Sequence, residues 1–115
     1  MALKITKHDA DGVTVVVLDG RVVLGEESGE LRNTVKGLLA EGKKKIVLNV
    51  ERVGFIDSSG LGTFVAVYHT AKAQGGTLAL CHLGSKFEEL LQMTRLLTVF
   101  DSYKTEADAV HALAK

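Results

Sequence analysis

The chain has no proline, no tryptophan and a single cysteine. Without proline, glycines and polar clusters must supply every turn. The lone cysteine, Cys81, excludes an intrachain disulfide, and in the apolar run 77–83 it reads as a small buried thiol with no chemistry assigned to it. Aromatic residues are scarce, four Phe and two Tyr. Most of them fall on expected core faces, too few for a platform on which bases could stack. Neither sign of charge dominates, since 14 Lys+Arg balance 14 Asp+Glu, which removes any global pull toward nucleic acid or an anionic membrane. No apolar stretch approaches bilayer-spanning length, and Met1-Ala2-Leu3-Lys4-Ile5 alternates instead of forming a signal segment. The expectations are a cytoplasmic address, no membrane insertion and no direct nucleic-acid contact.

What is present suits an ordinary globular domain. At 115 residues, 46% hydrophobic and 24% charged, residues 1–115 form one domain able to bury roughly two thirds of its unfolded surface. Residues 3–7 and 13–19 carry strand-type residues around an Asp11-Gly12 turn and read as a hairpin. From 26 to 41, Leu31, Val35, Leu38 and Leu39 share one helical face, and Gly42 supplies a stop. Residues 45–50 are a branched apolar run suited to a strand buried on both faces.

A helix over 59–74 follows, with Leu61, Val65, Tyr68 and Lys72 along one face, Phe64 and Ala71 beside them, and Gly75-Gly76 as the stop. The remaining elements are a strand over 77–83, a short helix over 85–94 with a Ser85–Glu88 capping box, a strand over 97–103, and a helix over 105–114 with Ala107, Val110 and Leu113 inward. The order β-β-α-β-α-β-α-β-α predicts an α/β fold with a mixed β-sheet: an antiparallel hairpin, then parallel strands joined by right-handed crossovers.

The most informative stretch is Asp57-Ser58-Ser59-Gly60-Leu61-Gly62, which places two hydroxyls where a strand turns into a helix. It is not a nucleophile elbow: neither Ser58 nor Ser59 has a glycine two residues before it, and no histidine or second acid stands beside them in sequence. Gly84-Ser85-Lys86 lacks the first glycine and the residue order of a phosphate loop. His8, His69, His82 and His111 are scattered without ligand spacing, so neither metal nor cofactor is expected. Lys43-Lys44-Lys45 has no flanking aromatics and reads as a solvated loop.

Asp57 or Ser58 can serve as a helix N-cap. A cap does not account for the serine pair, nor for Gly60 and Gly62 in the first turns, where glycine costs about 1 kcal/mol relative to alanine. Gly62, Thr63, Ala66 and His69 fall off the most apolar stripe, so the helix is expected to offer a shallow, weakly charged face to a partner.

The segment Gly54-Phe55-Ile56-Asp57-Ser58-Ser59-Gly60-Leu61-Gly62, following the 46–50 strand, closely resembles the signature of the STAS-domain anti-sigma factor antagonists. The resemblance spans nearly the whole chain and includes Thr94-Arg95-Leu96-Leu97-Thr98-Val99-Phe100. It implies a STAS-like fold and a regulator, not an enzyme, that binds an anti-sigma factor serine kinase and so frees a sigma factor. It also implies partner switching in transcription regulation: phosphorylation at Ser58 breaks the partnership and a serine phosphatase restores it. Asp57, Ser58, Ser59, Gly60, Leu61, Gly62, Thr63 and Ala66 become the expected partner-binding residues. The alternative is a STAS adaptor subunit of a signalling or membrane-transport assembly. One departure stands out. Family members often carry an acid in a G-x-L-D-like pattern on the second strand, whereas this chain has Gly20-Arg21-Val22-Val23, so Val23 supplies no charge there.

Overall fold

The computed structural model describes residues 3–22, 26–96 and 99–114. The hairpin forms because Asp11 and Gly12 both take left-handed backbone angles, φ 53° and 80°, the two-residue turn whose twist matches that of paired strands. β1 (Leu3–Ala10) and β2 (Val13–Val22) pair antiparallel, with Ala10 opposite Val13 at the closing end. Both run further than the expected 3–7 and 13–19. β2 then pairs in parallel with β3 (Lys45–Ile56), with register shifts between Val17 and Asp19 and between Gly20 and Arg21. β3 continues six residues past its expected end at residue 50, because the irregular upper half of β2 runs alongside it as far as Val22 opposite Ile56.

β4 (Thr77–Cys81) and β5 (Asp101–Tyr103) complete the sheet in the order β1-β2-β3-β4-β5. β4 stops at Cys81 instead of 83 because His82 takes a left-handed φ of 58°, which ends the pleat. β5 is shorter than the 97–103 expectation: Val99 and Phe100 precede the strand as turn and bend, and Leu97 and Thr98 lie outside the described residues. Val23, with the expectation attached to it, also lies outside them.

Strands β2 to β5 advance across the sheet in one direction, so crossovers of a single hand place their helices on one face. α1 (Glu26–Ala40), α2 (Ser58–Ala73) and α3 (Ser85–Met93) share one core cluster with Val16, Leu18, Ile46, Leu48, Leu78 and Leu80. α4 (Glu106–Ala114) packs on the opposite face, where Ala109, Val110 and Leu113 cover Val13, Val15, Val47, Ala79 and Cys81. Neighbouring positions such as Val15 and Val16, or Val47 and Leu48, thus serve different cores, as the period-two alternation of strand side chains requires.

Local chemistry sets the helix ends. α1 finishes with Lys43 N–H bonded to Leu38 O (2.9 Å) and Gly42 N–H to Leu39 O (3.0 Å) around a left-handed Gly42; α2 repeats the arrangement with Gly76 N–H to Ala71 O (2.7 Å) and Gly75 N–H to Lys72 O (3.0 Å). Both satisfy carbonyls that a helix end leaves unpaired. The expected Ser85–Glu88 capping box does not form. Gly84 is the N-cap and Ser85 the first helical residue, so the serine sits one position too late to cap.

Two expected faces are corrected. On α2 the buried line is Leu61, Phe64, Val67 and Ala71, with Val65 and Tyr68 half-buried and Lys72 exposed; Tyr68 instead reaches Phe100, with ring centroids 5.4 Å apart. On α4 Ala107 is exposed and Ala109 buried, because Glu106 turns inward to meet Asn49 and rotates the stripe. Lys43 pairs with Asp9 at 3.2 Å, and the Lys44 ammonium donates to the Gln74 carbonyl at the end of α2 (2.6 Å). Two of the three lysines in the cationic run therefore make surface contacts within the chain.

Candidate functional site

The site lies where β3 gives way to α2. Asp57, with φ −100° and ψ −179°, is the extended residue immediately before the helix, and its Oδ1 accepts the Gly60 N–H at 2.7 Å. Its carbonyl receives the Leu61 N–H at 2.9 Å. Asp57 is therefore the N-cap, as a side-chain oxygen closing an unpaired first-turn donor should be. No other acid stands in the first turn of α2, so an added anion there would share the positive end of the helix dipole with the Asp57 carboxylate alone.

Ser58 and Ser59, the first two residues of α2, are both exposed. The glycines beside them have separate reasons. A Cβ on Gly60 would fall 1.9 Å from the Val22 carbonyl oxygen and 2.7 Å from its carbon, so Gly60 lets α2 seat against the end of β2. A Cβ on Gly62 would meet nothing within 4 Å. The close approach inferred from small residues is made at Gly60 by the chain itself, and only Gly62 faces open space.

The eight expected partner-binding residues therefore divide. Ser58, Ser59 and Gly62 are exposed, while Asp57 and Ala66 are partly so. Gly60, Leu61 (4% exposed) and Thr63 (2%) are buried, so they do not form the open face of α2. The burial of Thr63 was not apparent from the sequence because its hydroxyl is satisfied within the helix, donating to the Ser59 carbonyl at 3.2 Å, so a polar residue can occupy an inward position. His69 is exposed and packs its ring edge-on to Tyr68, 5.6 Å between centroids.

An apolar hollow of about 350 Å³ that no sequence pattern announces lies between the last residues of β3 and α3, lined by Val53, Phe55, Ile56, Phe87, Leu90 and Met93 together with Lys86 and Glu89. Phe55 is 54% exposed and Met93 74%. Their signal was weak: Phe55 looked like part of a motif rather than a strand residue, and Met93 lies just off the stripe of α3.

Elsewhere, His8 and His82 converge on Glu106 although the sequence separates them widely. His8 Nε2 lies 2.9 Å from Glu106 Oε2, Asn49 Nδ2 donates to Oε1 at 3.0 Å, and the Glu106 backbone N–H donates to His82 Nε2 at 3.2 Å. Burial works to raise the Glu106 pKa, but hydrogen bonds from Asn49 and His8 and the nearby imidazoles outweigh it and hold the carboxyl below its usual range. Burial, reinforced by the charges of Glu106 and Glu51, pushes the Cys81 thiol up to about 12. No cluster able to hold a metal ion occurs among the described residues, and no helix among them is long and apolar enough to cross a membrane.

The family profile described as STAS domain matches residues 4–109. The chain belongs to the STAS domain family. Among curated relatives, this STAS domain is 27% identical over 113 residues to the anti-sigma F factor antagonist of Paenibacillus polymyxa, covering 98% of this chain and 97% of that protein. It is 36% identical over 69 residues to the anti-sigma-B factor antagonist of Bacillus subtilis, covering 59% of this chain and 63% of that one. Its fold matches the solved structure of the Bacillus cell fate determinant SpoIIAA in the phosphorylated form, with a TM-score of 0.71 and 21% identity over 96% of this chain and 98% of that one. The five-stranded mixed sheet and four helices are thus those of a STAS domain, and the family placement is with the anti-sigma factor antagonists.

Proposed function

We propose that this STAS domain, acting as a single unit over residues 1–115 in the cytoplasm, binds an anti-sigma factor serine kinase and thereby frees a sigma factor, and that phosphorylation of Ser58 switches it off. The observation that carries this reading is the placement of Ser58: an exposed hydroxyl on the first residue of a helix, directly after a capping aspartate and with no acid in the first turn. The phosphorylated SpoIIAA structure lends support from a protein of the same fold. Ser58 is then acted upon by a kinase and cleared by a serine phosphatase, with no cofactor and no direct nucleic-acid contact.

The chemistry of the site fits a switch that acts at the surface. A phosphate brings about −1.5 to −2 charge at neutral pH. At a helix start the dipole and backbone donors favour an anion, which limits the cost to the fold. A partner docked on Ser58, Ser59, Gly62 and Ala66 would meet that charge directly. Because about 1.4 kcal/mol changes an equilibrium tenfold, a modest clash or unpaired charge at the interface is enough to end binding.

Incubation with ATP and the cognate kinase tests the reading. Wild-type protein is labelled and Ser58→Ala is not, while Ser58→Asp weakens kinase binding and keeps a native unfolding transition. Undiminished labelling of Ser58→Ala would move the phosphoacceptor elsewhere.

A further inference from the structure

Three features of α4, on the sheet face opposite α1, α2 and α3, bear on how it is held there. At nine residues, α4 is shorter than the length at which isolated helices hold together. Its buried side chains are Ala109, Val110 and Leu113, a small apolar area beside the joint core that α1, α2 and α3 share. Its polar ties to the sheet gather at its first residue. The Glu106 carboxylate reaches His8 on β1 and Asn49 on β3, and its backbone N–H reaches the His82 ring just beyond β4.

The parts of this latch are held for their roles. The Asn49 Oδ1 accepts the Glu51 N–H at 3.0 Å, which fixes the amide so that its NH2 faces Glu106. His82 adopts φ 58°, a backbone angle costly for a residue with a Cβ, and its ring receives the first N–H of α4. Thr105 accepts the Asp108 N–H at 3.1 Å, so the helix start is capped by its own chain. Beneath α4, Cys81 is fully buried beside Val13, Val15, Val47 and Ala79.

We infer that α4 is a separable flap, latched to the sheet through Glu106, which opens without unfolding the rest of the domain and bares the apolar strand face around Cys81. Segments with few buried apolar contacts open locally at a free energy well below that of global unfolding. Here the polar latch adds to the apolar contact, chiefly through the part-buried hydrogen bond that Asn49 donates to the Glu106 carboxylate, because charged hydrogen bonds contribute more than neutral ones. Cys81 is the chain's one cysteine and reports the opening directly.

The test is the rate at which DTNB modifies Cys81 in the intact protein, measured across urea concentrations below the unfolding transition. A flap gives a shallow urea dependence, less than half that of global unfolding measured by circular dichroism. Glu106→Ala steepens nothing but raises the rate about tenfold or more. Leu38→Ala, which weakens the core on the opposite face, lowers global stability and leaves the shallow limb unchanged. The inference is overturned where wild-type modification follows global unfolding at every urea concentration, or where Leu38→Ala accelerates the shallow limb as much as Glu106→Ala does. The wild-type urea dependence decides even where a variant fails to fold.

Discussion

The backbone of Gly60 lies so close to the Val22 carbonyl that a Cβ would sit 1.9 Å from its oxygen. The start of α2, and with it the serine pair, is positioned by this contact with the end of β2. Gly60→Ala must push the helix off the strand and is expected to cost about 3 kcal/mol, at the upper end for overpacking. Gly62→Ala meets open space and should gain about 0.5–1 kcal/mol from helix propensity. Urea unfolding of both variants beside wild type checks the opposite signs.

Asp57 caps α2 through the 2.7 Å bond from Gly60 N–H. Asp57→Ala is expected to lose about 1 kcal/mol, whereas Asp57→Asn keeps an oxygen in place and loses much less. The comparison is made by urea midpoint at unchanged slope. Equal losses in the two variants would show that the charge, not the cap, matters there.

The Glu106 carboxyl is held below its ordinary value of 4.5: burial acts to raise it, and the bonds from Asn49 and His8 with the nearby imidazoles prevail. A carboxylate with a depressed folded-state pKa contributes stability that is fully present above the unfolded value and is lost as pH falls through the folded one. Wild type should therefore exceed Glu106→Gln in Tm at pH 7. The gap should narrow as pH drops from 4.5 toward the lower folded-state value. A gap that stays constant into acid would contradict this role for the charge.

Much of the architecture was legible because it follows from local patterning. The spacing of Leu31, Val35, Leu38 and Leu39 marked α1 and its buried face, and Asp11-Gly12 and Gly42 marked a turn and a stop whose left-handed angles the structure shows. The continuation of β3 was hidden because Glu51-Arg52 and Gly54 interrupt the apolar run, and only pairing with β2 carries the strand on to Ile56. The Asp57 cap could be read from residue type. The burial of Gly60 and Thr63 could not, since one depends on the Val22 backbone and the other on a hydroxyl bonded inside its own helix. The meeting of His8, Asn49 and His82 at Glu106 joins residues 98, 57 and 24 positions away from it, a distance over which no periodicity or motif carries information.

Ser58 is the proposed switch of this STAS domain. The most direct measurement is intact mass combined with partner pulldown from native extract, with and without ATP. Wild-type protein should gain one phosphate and lose the bound kinase, and Ser58→Ala should show neither change. Full phosphorylation of Ser58→Ala, or retention of the partner by fully phosphorylated wild-type protein, would contradict it.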